Sequence, residues 1–144
     1  MMALMKESAI ENYTKLLHEK GLKSTPLRLN ILETLSRSQR PLSSEELQIK
    51  LSKIDHDKAT LFRCLKKFTE VDLVKMVDLG EGFLRYEITC QDHHHHHHVM
   101  CVKCKKIEVI PFCIPKSIEN HLSEAGYTNL THRMDFFGLC KKCS

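Results

Sequence analysis

The stretch Lys58-Ala-Thr-Leu-Phe-Arg-Cys-Leu-Lys-Lys-Phe-Thr-Glu70, followed closely by Leu73-Val-Lys-Met-Val77 and Phe83-Leu-Arg-Tyr-Glu-Ile88, decides the fold. In the first segment Leu61, Leu65 and Phe68 recur at helical spacing, and Arg63, Lys66 and Lys67 fall largely on the opposite face. The apolar period then changes from helical to alternating, so residues 73–77 and 83–88 read as two strands. Asp78-Leu-Gly-Glu-Gly82 between them is a turn-rich connection. A helix followed by such a hairpin describes a winged helix-turn-helix, whose second motif helix enters the DNA major groove. The same basic residues also fit the solvated face of an ordinary amphipathic helix, so the pattern alone leaves DNA binding open.

Upstream, Ala9, Ile10, Tyr13, Leu16 and Leu17 predict a helix that stops at Gly21. Thr25 and Pro26 supply an N-cap and first-turn proline for a second helix carrying Leu29, Ile31, Leu32 and Leu35. Pro41 ends that segment. Ser43 and Glu46 have the spacing of a capping box ahead of Leu47, Ile49 and Leu51. Downstream of Asp92 the texture differs: short strands at His97–Cys101, Ile107–Ile110 and Leu130–Phe137 flank one helix near Lys116–Ala125. That half has too little apolar content for an independent core, so it is expected to rely on metal and on a second copy of the chain.

The metal signal is the run from His93 to Cys104, HHHHHHVMCVKC, answered by Cys140-Lys-Lys-Cys143. Random placement of seven cysteines in 144 residues gives only ~0.3 Cys-x-x-Cys pairs, and here there are two. Cys101, Cys104, Cys140 and Cys143 read as one tetrahedral structural zinc site, because four thiolates select Zn²⁺ over harder ions. The histidines upstream suit a second, more exchangeable divalent metal. A disulfide or thiol-switch reading is the rival. The first ten residues, MMALMKESAI, lack the apolar core of a signal peptide, so a reducing, cytoplasmic setting is expected. No apolar run approaches the ~18 residues of a membrane span. Net charge is +4, compatible with nucleic acid without being diagnostic.

Taken together, the sequence resembles the ferric uptake regulator (Fur) family of metal-dependent bacterial repressors, from about Leu16 to Cys143. Its markers are Ser24-Thr-Pro-Leu-Arg28, Ala59-Thr-Leu-Phe-Arg-Cys-Leu65, Arg85-Tyr-Glu87, the His-x-His-x-x-Cys-x-x-Cys string from His96, and His132 ahead of the terminal pair. The resemblance implies an α+β chain. It consists of an N-terminal winged helix-turn-helix DNA-binding domain (1–88), a hinge (89–95) and a small α/β dimerisation domain with structural zinc (96–144). It implies a homodimer that binds an inverted-repeat operator in double-stranded DNA when a regulatory Fe²⁺ or Zn²⁺, or Mn²⁺, closes the hinge.

The resemblance also implies ligand sets. Glu87, His96 and His98 match three regulatory ligands, while the fourth, a histidine of the DNA-binding domain, is replaced by Pro41. Cys90 is one replacement donor and would soften the site toward Zn²⁺. It equally fits a packing cysteine, and His56 is a further imidazole on the DNA-binding side. An additional site used by some members maps onto His95, His97, Glu119 and His132. Alternation along a strand puts His96 and His98 on one face and His95 and His97 on the other. Cys64 and Cys113 receive no ligand role.

For DNA, Arg28, Thr60, Phe62, Arg63, Lys66 and Lys67 match or extend family contact positions. Phe62 stands where the family usually has tyrosine, which keeps an apolar contact and loses a hydroxyl. A peroxide-sensing member is the nearest alternative, but Glu87 and Val109 occupy positions that generally hold aspartate there. A His-rich metal buffer would leave the basic helix without a purpose. A zinc hydrolase lacks the H-E-x-x-H signature, so no enzymatic activity is expected.

Overall fold

Local capping signals place the helices of the first half. In the computed structural model of the chain, which describes residues 2–89 and 97–144 (side chains from Ile10 onward), α1 spans Met2–Glu19 and gives way to Gly21 at φ +70°. Only glycine adopts that left-handed turn without strain. Helix α2, Pro26–Arg37, starts as the sequence predicts, with the Thr25 hydroxyl accepting from the Arg28 amide at 3.4 Å and proline in the first turn. Ser43 and Glu46 form the reciprocal capping box of α3, Ser44–Lys50. Asp57 caps α4, Lys58–Glu70, by accepting from the Thr60 amide at 2.6 Å. The chain divides into two compact units between Thr89 and Cys90.

The first unit closes around Leu17, Ile31, Leu32, Leu47, Leu61, Leu65 and Phe68, all at or below 1 % exposure. Each such side chain contributes roughly 1.5–3 kcal/mol on burial, enough for a self-sufficient core. Ile49 departs from expectation and is exposed. Leu47 and Leu51 share the buried face at i, i+4 spacing, which turns the intervening Ile49 outward. The wing is a three-stranded antiparallel sheet in the order β1-β3-β2, formed by Leu42–Ser43, Leu84–Ile88 and Val74–Asp78. The sequence shows two of these strands. The third is two residues long, too short for alternation to register, and its Ser43 doubles as the helix cap.

A buried ion network ties this wing to the helices. The Arg85 guanidinium donates to both Glu81 oxygens at 2.6 and 3.0 Å and to Glu46 at 2.8 Å. Arg40 donates to the other Glu46 oxygen at 2.6 Å. Partial burial opposes ionisation of Glu46. The Arg40 hydrogen bond, the Ser43 amide and the charges of Arg40 and Arg85 outweigh that penalty, holding its carboxyl near 2 instead of the ordinary 4.5.

The second unit is a three-stranded sheet in the order β5-β4-β6, with strands Ile107–Ile110, His97–Cys101 and Asp135–Gly138. Strand β4 pairs antiparallel with β5 and parallel with β6. Strands β4 and β5 fall where predicted. Strand β6 begins at Asp135 instead of Leu130, since Thr131-His-Arg133 interrupts the apolar alternation and Asn129 takes φ +53°. Helix α5, Lys116–Glu124, buries no residue in the single chain. Phe112, Tyr127, Phe136, Phe137 and Leu139 are all more than 45 % exposed. So much aromatic surface on so small a unit marks an interface. Among the described residues, no helix is long and apolar enough to cross a membrane.

Replacing Glu46 with glutamine removes one charged partner from the network, and should cost about 1–2 kcal/mol at neutral pH. Because the folded carboxyl titrates below its unfolded value, its stabilisation is fully present above about 4.5 and fades as pH falls toward about 2. Urea denaturation of Glu46→Gln against the parent should show a deficit that shrinks over that window. A deficit independent of pH would remove the ion network as its cause.

Candidate metal centres and nucleic-acid interface

Strand β4 ends at Cys101, and the following turn returns the chain to Lys106 through Lys105 at φ +61°, whose amide donates to the Cys101 carbonyl at 2.9 Å. That turn places Cys104 beside Cys101. The parallel pairing of β6 with β4 carries the chain past Gly138, whose carbonyl accepts from Val102, and delivers Cys140 and Cys143 to the same point. The four Sγ atoms lie within 4.8 Å of one another, and Cys104 and Cys140 are 3.6 Å apart. Four sulfurs at the ~2.3 Å Zn–S distance stand about 3.8 Å apart on a tetrahedron, so the set fits zinc in donor type and spacing.

Electrostatics explain why this cluster wants a cation. The Cys104 and Cys140 amides donate to Cys101 Sγ at 3.5 and 3.4 Å, drawing its thiol down to about 6. Hydrogen bonding to Cys140, then desolvation and the other sulfurs, pushes Cys143 up to about 12. Cys101 is thus the readiest thiolate and Cys143 the most reluctant, and a divalent ion supplies the opposing charge that lets sulfurs so close together ionise.

A second convergence lies at the other end of β4. His97 pairs with Ile110 on β5, and Cys113 follows three residues later. His98 pairs with Asp135 on β6, and His132 lies three residues before it. Both neighbours therefore bring a side chain to His97. Its Nε2 is 3.3 Å from Cys113 Sγ and 3.2 Å from His132 Nε2, and Cys113 Sγ is 3.0 Å from His132 Nε2. Glu119 approaches the opposite nitrogen of His132, at 3.9 Å from Nδ1, and so lies outside this triangle. Sequence reasoning paired His97 and His132 and missed Cys113, because a lone cysteine between two prolines has no ligand spacing to announce it.

Of the regulatory set, His98 is buried with Nδ1 3.6 Å from Asp135 Oδ1. Glu87 is buried in the wing with its Oε1 2.8 Å from Lys75 Nζ, directly across β2. Pro41 is fully buried and offers no donor. His56 Nδ1 lies 2.7 Å from the Ile54 carbonyl, and its Nε2 is buried. Cys90, His95 and His96 lie outside the described residues.

Helix α4 buries Leu61, Cys64, Leu65 and Phe68 and turns Phe62, Arg63, Lys66 and Lys67 to solvent. Arg63 donates to the Thr60 hydroxyl at 2.8 Å, and Lys67 pairs with Glu70 at 2.8 Å. Lys58 Nζ stands 5.9 Å over the Phe62 ring. Arg28, half-buried on α2, donates to the Lys23 carbonyl at 2.9 Å. The outward surface of α4 is thus cationic with one apolar ring, on a helix seated firmly by its other face.

The sequence pattern of the ferric uptake regulator family matches residues 19–137. The chain belongs to the ferric uptake regulator family. It is 32 % identical over 133 residues to a ferric uptake regulation protein of Staphylococcus epidermidis, covering 90 % of this chain and 92 % of that one. The solved Helicobacter pylori ferric uptake regulator Fur, described as having three functional metal-binding sites, superposes with a TM-score of 0.72 at 28 % identity. That match covers 95 % of this chain and 92 % of that one. A peroxide-responsive repressor of Staphylococcus saprophyticus is 29 % identical over 144 residues, covering 95 % of this chain and 93 % of that one. Ferric uptake regulator proteins are metal-responsive transcription regulators that act as DNA-binding dimers. The fold is accordingly a winged helix-turn-helix unit followed by a small α/β unit with a four-cysteine cluster.

Cys101→Ser should unfold the α/β unit and abolish dimerisation, since structural zinc contributes about 10–16 kcal/mol that is coupled to folding. Elemental analysis with size-exclusion chromatography checks this. A folded dimer without tightly held zinc would contradict it.

Proposed function

We propose that this protein is a homodimeric, metal-dependent transcriptional repressor of metal-homeostasis genes, acting by binding an inverted-repeat operator and not by catalysis. The observation that carries the reading is the exposed face of α4, with Phe62, Arg63, Lys66 and Lys67 presented beside a wing held by Arg85. Arg28 and Thr60 extend the same DNA-contacting set. Phosphate contacts fix orientation and base contacts fix sequence, so the basic rim sets affinity while Arg63 and Phe62 set the half-site. Two such helices on a symmetric dimer read half-sites about one helical turn apart.

In this reading residues 1–88 bind DNA, 89–95 form the hinge and 96–144 dimerise, and the protein works in the cytoplasm. Cys101, Cys104, Cys140 and Cys143 hold one structural Zn²⁺ per chain. The regulatory ion, Fe²⁺ or Zn²⁺ or, as a further option, Mn²⁺, is held by Glu87, Cys90, His96 and His98. Glu87 already pairs with Lys75 through Oε1, so a metal drawing on the same carboxylate weakens a wing ion pair. Such a ligand set favours the closed dimer only by its differential affinity for that state. His95, His97, Glu119 and His132 belong to an additional site.

Arg63→Ala should weaken operator binding by about 1–3 kcal/mol, roughly five- to 150-fold, with zinc content unchanged. Electrophoretic mobility shift at fixed salt reads the effect, and unchanged affinity would remove Arg63 from the interface. Cys90→Ser should raise the regulatory-metal concentration needed for operator binding. If that midpoint stays put, Cys90 packs and does not ligate.

A further inference from the structure

Cys113 stands in neither ligand set above, yet its sulfur is where His97 and His132 meet. The three ligand atoms are separated by 3.0, 3.2 and 3.3 Å. Around a tetrahedral ion at ordinary zinc distances, two imidazole nitrogens stand about 3.3 Å apart and a nitrogen and sulfur about 3.6 Å. The triangle is already close to that shape. We propose that Cys113 is a metal ligand, completing with His97 and His132 a mixed sulfur–nitrogen site for a borderline-soft divalent ion, zinc in preference to iron(II) or manganese(II).

Three independent features support it. The strand pairing itself delivers the ligands: Cys113 arrives three residues beyond the β5 partner of His97, and His132 three residues before the β6 partner of His98. The two histidine rings lie 5.0 Å apart with both Nε2 atoms directed at the sulfur. Glu119, on α5, lies 3.9 Å from Nδ1 of His132, on the nitrogen away from the sulfur, and so leaves Nε2 to the triangle. His97 is buried and Cys113 is exposed, so the site has a closed inner wall and an open outer position for a fourth ligand or water.

Binding is simple in its balance. The Cys113 thiol gives its proton to solvent as the metal–sulfur bond forms, and both histidines bind as neutral imidazoles. Thiolate in place of carboxylate moves preference toward zinc, because soft donors discriminate against the harder divalent ions. A site built this way responds to zinc even where the regulatory set is loaded with iron.

The test uses the whole 144-residue chain with its four-cysteine zinc retained, in a Cys90→Ser background so that the regulatory set proposed above supplies no thiolate. Titrated Co²⁺ should produce a near-ultraviolet sulfur-to-cobalt charge-transfer band and tetrahedral visible bands, both lost on adding Cys113→Ser. Added Zn²⁺ should erase them and added Mn²⁺ should not. Retention of one structural zinc per chain reports that the variant is folded. In the unmutated chain, Zn²⁺ should protect Cys113 from alkylation, read by mass spectrometry, which covers the case of a misfolded variant. No charge-transfer band in the Cys90→Ser protein, or equal Cys113 alkylation with and without Zn²⁺, overturns the proposal. Operator binding, read separately, stands or falls on α4 whichever result is obtained.

Discussion

The meeting of four sulfurs at the end of β4 is the constraint on which the α/β unit depends. Cys101 and Cys104 come from one turn, and Cys140 and Cys143 from a tail 36 residues further on. Among the described residues this unit buries few apolar side chains, chiefly Met100 and Ile107. A three-stranded sheet with an unburied helix cannot offset its own ordering entropy from that core. A zinc ion held by the four sulfurs would join the two ends of the unit, and Phe136 and Phe137 are left exposed on the single chain. Metal and dimerisation are thus parts of one folding problem.

The DNA-binding unit is built on the opposite principle. Its leucine core needs no ion, and its most extended polar network among the described residues joins Arg85 with Glu81 and Glu46 and then Arg40. Burying that much charge adds little net stability, but each member is paired, so the network fixes which way the wing leans on α3. The two units thus draw their stability from different sources, one from an apolar core and one from a sulfur cluster.

Features legible in the sequence were those with a period or a spacing. Thr25-Pro26, the Ser43–Glu46 box and the Asp57 start each locate a helix end, and the paired Cys-x-x-Cys motifs locate the sulfur cluster. What escaped lacked either. Strand β1 is two residues long, Arg85 finds Glu46 across 39 residues, and Cys113 joins His97 and His132 only because β4 pairs on both sides. Ile49 was misassigned because three apolar residues at alternate positions do not share one helical face. Long-range pairing, not local propensity, decides each of these. The spans holding Cys90, His95 and His96 were legible only as motif.

Adjacent residues on a strand point to opposite sides, so His97 and His98 serve different neighbours, Cys113 with His132 on one side and Asp135 on the other. A slip of one residue would exchange their roles. Strand β4 avoids this because Cys101, four residues on and about 13 Å away by strand rise, is anchored in the sulfur cluster. The cluster acts as the zero mark of a ruler from which the histidines are counted backwards. The histidine run can therefore lengthen or shorten at its far end over evolutionary time while the residues nearest the cluster keep their places.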